Sequence, residues 1–360
     1  MTTANIDLTA VKCTPGELTL SWQNSTYSVY NALWLRDNDP ANRDPDTGQR
    51  RISLLDLPRE PRLQAAESDP PGHITLRWED GATSVFSLLW LRAFDHSLHT
   101  GARPTRMPWM GQPSESFAAC DYAEWVANPA SRRDWLYYAG RDGLAFLRNV
   151  PTEDGSVLRV AAQIGFVREA NYGRIFDVLT VANPCHLAGT GSPYRDPVPG
   201  FQLLHCLSAA DGESTFVDGM AVAERLRAQD PDAFSVLCQV PILFRSHGAD
   251  VDLVAERTML DADTEGQLRA ICYNDRAIAP LPLKGPRLKK YYPAYRQLAE
   301  LLREPARLVV HPWQPGDLAL FDNTRILHGC AASFDSRLQG CYVDADGVYS
   351  SLAVLSRSGR

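Results

Sequence analysis

Apolar and polar positions alternate with a two-residue period through much of the first hundred residues, and they do so twice over. Leu18-Thr-Leu-Ser-Trp22 leads through Ser28-Val29 to Leu33-Trp34-Leu35-Arg36. Ile74-Thr-Leu-Arg-Trp78 leads through Ser84-Val85 to Leu89-Trp90-Leu91-Arg92, at a constant offset of 56 residues. Alternation of this kind places one side of a strand on a core, and the turns Gln23-Asn24-Ser25 and Glu79-Asp80-Gly81 close each copy into a hairpin. The Trp-Leu-Arg cluster that ends each copy reads as a short helical turn. Two such hairpins predict one small β-rich domain over residues 1–105, with the polar, turn-rich residues 37–49 as a surface loop.

The pattern changes near residue 104. Pro104-Thr-Arg-Met-Pro-Trp-Met-Gly-Gln-Pro-Ser-Glu-Ser116 is rich in proline, glycine and serine, which predicts a linker over 106–118 and a second domain over 119–360. There, residues 122–138 have helical spacing and Gly143-Leu-Ala-Phe-Leu147 reads as a first strand. From Ile175 onward short apolar runs alternate with turns, interrupted by helical stretches at 221–227 and 294–302. Many short strands with inserted helices predict a mainly β fold, a barrel or jelly roll, rather than a parallel α/β sheet.

Composition narrows the function classes. Hydrophobic residues make up 44% of the 360 and charged residues 22%, as in a globular chain with a buried core. The 36 basic and 43 acidic residues give a net charge of −7, and no basic run is interleaved with aromatics, so the chain carries no nucleic-acid footprint. No apolar run approaches the roughly 18 residues that span a bilayer, and Met1-Thr-Thr-Ala-Asn-Ile-Asp has no leader-like pattern; the expected location is the cytoplasm. The eight cysteines form no Cys-x-x-Cys and read as reduced thiols.

Two segments carry the chemistry: Arg195-Asp-Pro-Val-Pro-Gly-Phe-Gln-Leu-Leu-His205-Cys206, and Gly316-Asp-Leu-Ala-Leu-Phe-Asp-Asn-Thr-Arg-Ile-Leu-His328-Gly329. Together with Trp34-Leu-Arg-Asp-Asn38, Ile164-Gly-Phe-Val-Arg168, Tyr172-Gly173, Val217-Asp-Gly219 and Leu338-Gln-Gly-Cys-Tyr-Val-Asp344, they make the chain resemble the γ-butyrobetaine and trimethyllysine hydroxylases of the TauD-like iron(II)/2-oxoglutarate oxygenases. The resemblance runs nearly the full length. It implies a double-stranded β-helix behind the small N-terminal domain, with Fe(II) and 2-oxoglutarate as cofactors.

In that family two histidines and a carboxylate hold iron on one face. The resemblance maps the distal histidine onto His328. The proximal His-x-Asp pair, counted back from Ser192-Pro-Tyr-Arg195, falls on Gly189-Thr-Gly191. Counted forward from the preceding strand it falls on Cys185-His-Leu-Ala188, and the two anchors lie about eight residues too close for the motif, which reads as a deleted strand. His186 is then the candidate surrogate ligand, in an open His-x-Ala arrangement with Ala188. The family's co-substrate arginine is matched best by Arg337, displaced by one position, and a one-residue shift turns a strand side chain to the other face.

For the substrate, the resemblance implies an aromatic cage around a trimethylammonium group, held by cation–π attraction. Tyr172, Phe176 and Tyr342 occupy matching positions, while a further cage tyrosine falls at Gly189. Asn274 matches part of an Asn-Asn pair that contacts substrate or co-substrate. The zinc cysteines that relatives carry after Trp-Leu-Arg-Asp-Asn are replaced by Asp39-Pro-Ala-Asn42, so no structural zinc is expected. The expected partner is a small quaternary-ammonium ligand, with a homodimer as the default assembly. Two functions follow: an oxygenase-like protein with an altered iron site, or an inactive oxygenase-fold binding or scaffold protein.

Overall fold

The structure is a computed structural model that describes residues 8–23, 26–69, 72–95, 103–178, 188–208, 213–330 and 337–358. The chain divides into two compact units, residues 1–101 and 102–360.

The first unit is built twice. Strands β1 (Leu8–Cys13), β2 (Glu17–Trp22) and β3 (Tyr27–Asn31) form an antiparallel sheet followed by helix α1 (Ala32–Asp37), and β4 (Leu63–Asp69), β5 (His73–Trp78), β6 (Thr83–Ser87) and α2 (Leu88–Ala93) repeat it. Leu18, Leu20, Trp22 and Tyr30 of one copy and Ile74, Leu76, Trp78 and Phe86 of the other share one core. Polar groups are exchanged between the copies. Trp22 Nε1 donates to Ser28 Oγ at 2.8 Å and Ser28 bonds to Asp95, while Trp78 Nε1 donates to Ser84 Oγ at 2.8 Å and Ser84 bonds to Asp39. Arg92 lies over Trp22 at 4.7 Å and Arg36 over Trp78 at 5.2 Å. Each half therefore supplies the acid and the guanidinium that complete the other half's tryptophan.

The second unit opens with β7 (Ala119–Asp121), α3 (Tyr122–Ala127), α4 (Pro129–Asp142), β8 (Leu144–Arg148), α5 (Ser156–Ala161), β9 (Val167–Arg168) and β10 (Phe176–Val178). It continues through β11 (Phe201–Ser208), β12 (Glu213–Asp218), α6 (Gly219–Gln229), α7 (Pro231–Gln239), β13 (Ile242–His247), β14 (Asp252–Arg257), β15 (Leu260–Ala262) and β16 (Leu268–Ile271). It closes with α8 (Gly285–Leu302), β17 (Val309–Pro312), β18 (Leu318–Asp322), β19 (Ile326–Cys330), β20 (Arg337–Val343) and α9 (Ala345–Ser358). The single helix expected over 122–138 is two helices, because Asn128 caps α4 and Pro129 occupies its first turn. Helix α8 begins well before the expected 294 and carries Pro293 inside it.

One sheet runs β10-β20-β11-β18-β8-β7 with β9 beside β20, and a smaller one runs β17-β12-β19. Their inner faces meet: Leu144, Phe146, Leu204, Phe321 and Leu338 of the first pack with Phe216, Val309 and Ile326 of the second. On the outer face of the larger sheet Leu203, Leu318, Leu320 and Cys341 are covered by Trp135, Leu136, Val157, Val348 and Leu352 of the helices. This is the jelly roll expected from the sequence, with alternate residues on the two faces.

The expected linker at 106–118 is not a free connector. Trp109 and Phe117 are buried in the core between the sheets. The Trp109 backbone N–H donates to Asp218 at 3.1 Å, and Arg325, fully buried, donates to the Met107 carbonyl at 2.6 Å while pairing with Asp218 at 2.7 Å. The aromatic residues in the proline-rich stretch outweigh its composition. Among the described residues no helix is long and apolar enough to cross a membrane.

Candidate functional site

Strand β19 carries His328 into the barrel opposite Phe216 of β12, and its ring lies 5.2 Å from that of Phe216 and 5.6 Å from that of Phe321. Burial pushes its pKa down to about 4, so the imidazole is neutral at pH 7. Its Nε2 is 2.9 Å from Ser214 Oγ, and that oxygen also accepts from Trp313 Nε1 at 2.8 Å. With the indole as donor, the serine proton is free to point at the imidazole.

The neighbour of His328 on its other side is Gly189. Gly189 N–H donates to the His328 carbonyl at 2.9 Å and His328 N–H to the Gly189 carbonyl at 3.1 Å. Residues 188–190 thus run beside β19 at His328. The segment is held on every side. Thr190 N–H donates to the Tyr273 carbonyl at 2.6 Å, Asn274 Nδ2 to the Thr190 carbonyl at 3.0 Å, and the buried Asn323 brackets Gly191, accepting from its N–H at 2.6 Å and donating to its carbonyl at 2.9 Å. A Cβ at position 191 would lie 2.5 Å from the Tyr342 hydroxyl, 2.8 Å from Gln202 Oε1 and 2.9 Å from Asn323 Oδ1. Position 189 is less confined, with the Tyr273 carbonyl at 3.2 Å.

Iron in this fold needs three ligands on one face. His328 is present, Gly189 and Gly191 offer no side-chain donor, and among the described residues no group of three His, Cys, Asp or Glu side chains could hold a metal ion. The described residues do not fit a three-ligand iron site. His186, the candidate surrogate, lies outside the described residues.

Arg337 does not reach the barrel interior. It pairs with Asp154 at 2.8 Å and lies 3.8 Å from Asp177, half exposed, and Asp154 is shared with Gln339, two residues along the same strand. Leu338, Gly340 and Tyr342 take the inner face. The guanidinium lies on the outer side of the strand with these two acids, as a one-residue displacement along a strand would place it. Asn274 likewise serves the backbone of residues 190 and 276, as a clamp on the glycine segment.

The three aromatics expected to line a cage lie together. Phe176 of β10 lies 5.4 Å from Tyr172 in an edge-to-face arrangement and 5.3 Å from Tyr342 of β20, and it packs over Gly340, where a Cβ would collide with its ring. Ser192 joins the two phenols, its Oγ 3.0 Å from the Tyr172 hydroxyl and 3.5 Å from that of Tyr342. Burial raises the pKa of both tyrosines, which stay neutral. Sequence reasoning gave no role to Ser192, Asn323 or Ser214. Asn323 stood in a recognised motif, whereas Ser192 had no signal beyond its place after Gly191.

Residues 108–342 match the model of the taurine catabolism dioxygenase TauD, TfdA family, and residues 10–92 match that of the γ-butyrobetaine hydroxylase-like N-terminal domain. The chain is 33% identical to the γ-butyrobetaine dioxygenase of Pseudomonas sp. (strain AK-1), with 94% of both chains covered. The chain belongs to the TauD/TfdA family. Family relatives include the human γ-butyrobetaine dioxygenase, 26% identical with 93% of each chain covered, and the chicken mitochondrial trimethyllysine dioxygenase, 25% identical with 95% of this chain and 89% of the relative covered. The family fold is matched by the crystal structure of AAD-2 in complex with Mn(II) and N-oxalylglycine, at a TM-score of 0.51 and 13% identity over 66% of this chain and 97% of that one.

Proposed function

We propose that this chain is an oxygenase-fold protein of the γ-butyrobetaine and trimethyllysine dioxygenase branch that binds a small quaternary-ammonium compound between Tyr172, Phe176 and Tyr342, and whose iron site is altered. The observation that carries the proposal is the pairing of Gly189 with His328, which sets a residue without a side chain beside the surviving histidine. The neutral aromatic wall supports the ligand class, because a trimethylammonium group gains cation–π attraction there without needing a counter-charge. Relatives named as dioxygenases of γ-butyrobetaine and trimethyllysine support the same class. With His328 as the only family ligand among the described residues, the barrel acts as a binding site, and its residues position and desolvate the cation.

The competing reading is an active oxygenase in which His186 replaces the missing pair. It draws support from Ala188, whose backbone lies against Gly329, so that the chain reaches the neighbourhood of His328 just after residue 186. Anaerobic titration with Fe(II) and 2-oxoglutarate separates the two. The proposal expects no metal-to-ligand charge-transfer band and no heat of binding; a band that His186→Ala abolishes would establish the surrogate instead.

A further inference from the structure

Ser192 has a backbone that suits another residue. Its φ is 51°, in the left-handed region that an L side chain rarely adopts, and it precedes Pro193, which further restricts its conformation. Glycine would take this conformation without strain. What serine adds is a hydroxyl. That hydroxyl is buried and bridges Tyr172, a part-exposed residue borne on the loop between β9 and β10, and Tyr342, a buried residue fixed in β20. The clamp of Asn323 on Gly191 fixes the chain immediately before Ser192, so the hydroxyl has a defined position.

We infer that Ser192 is a positioning residue of the aromatic cluster: it ties the loop-borne Tyr172 to the strand-borne Tyr342 over Phe176, so that the wall facing a quaternary-ammonium head is formed before the ligand arrives. The inference rests on the ligand class proposed above. A preformed wall matters because a ligand that must first order a loop residue binds more weakly in proportion to the fraction of chains already ordered. The phenols stay protonated, so the hydroxyl bridge persists through the neutral range.

The test uses the full chain and isothermal titration with choline, alongside its neutral isostere 3,3-dimethylbutan-1-ol. The wild type should bind choline at least about 10-fold more tightly than the isostere. Ser192→Gly relieves the backbone and removes the bridge: it should melt no lower than the wild type, bind choline about 5- to 10-fold more weakly, and change the tyrosine band in near-ultraviolet circular dichroism. Ser192→Asn, which tolerates the left-handed conformation and keeps a polar group, should restore part of the affinity. Unchanged choline affinity in Ser192→Gly overturns the positioning role while leaving the ligand class intact, and a matching fall in melting temperature reduces the residue to a structural one. Failure of the wild type to prefer choline removes the ligand class and this inference with it.

Discussion

Placing a His-x-Asp pair at positions 189 and 191, Gly189→His with Gly191→Asp, should not create a metal site. A β-carbon at 191 would stand 2.5 Å from the Tyr342 hydroxyl and under 3 Å from the side-chain oxygens of Gln202 and Asn323. Gln202 can swing its amide away; Tyr342 is locked in β20 under Phe176, and Asn323 is engaged with Gly191 and with the Pro199 carbonyl at 3.0 Å. Overpacking of this sort costs about 1–3 kcal/mol. Displacing Asn323 forfeits hydrogen bonds at about 1 kcal/mol each, so the double variant should lose about 2–5 kcal/mol. Urea unfolding followed by tryptophan fluorescence measures the loss, and anaerobic Co(II) titration reads the metal site through its d–d absorption. Adding Tyr342→Phe removes the nearest contact and should return about 1–2 kcal/mol. A double variant that unfolds with the wild type and takes up Co(II) would show that position 191 has room for a carboxylate, and the steric argument would fail.

Three further outcomes are expected. Arg337→Ala should leave choline binding unchanged and shift stability by no more than about 1 kcal/mol, since its ion pairs are half exposed; a large loss of ligand affinity would return Arg337 to the site. His205, fully buried and pushed down to about 4 chiefly by that burial, takes up its proton far more readily when unfolded. Stability should therefore fall as pH drops from about 6.5 toward 4, by up to roughly 3 kcal/mol from this residue, and urea titrations of His205→Leu should show a flatter acid limb. Asp39→Ala and Asp95→Ala each orphan a buried serine hydroxyl, so thermal melts should show a loss of about 1–3 kcal/mol for each, with Asp39→Ala losing in addition the cap that its carboxylate gives the Ala41 N–H at 2.9 Å; no loss in either variant would refute the crossed pairing.

The repeat was legible down to its residue spacing, because both copies kept their alternation and their tryptophans. Its exchange of Asp39 and Asp95 was not, because contacts across a pseudo-twofold axis leave no mark on local periodicity. The jelly roll followed from short strands punctuated by turns. The proline-rich segment misled because composition describes backbone preference, whereas Trp109 and Phe117 decide where that backbone lies. At the site, the sequence supplied the convergence of Tyr172, Phe176 and Tyr342 through resemblance, and the outward turn of Arg337 could be anticipated from strand alternation alone. The pairing of Gly189 with His328 could not, since two residues 139 positions apart meet through a register that only the folded sheets define. Spacing therefore suggested a missing strand, and it gave no sign that Gly189 pairs with His328 beside β19.

The crossed acids of the N-terminal unit also bear on its divisibility. Residue i of one half serves residue j of the other, and j of the first serves i of the second, which is the contact rule of an isologous dimer. A peptide carrying one hairpin and its helix would hold a tryptophan and serine without their acid, and an acid without its serine. It would be too small to bury a core alone, and would find both missing partners in a second copy of itself. The unit has the form of a twofold dimer whose two halves share one chain, connected through residues 40–62 between Asp39 and β4.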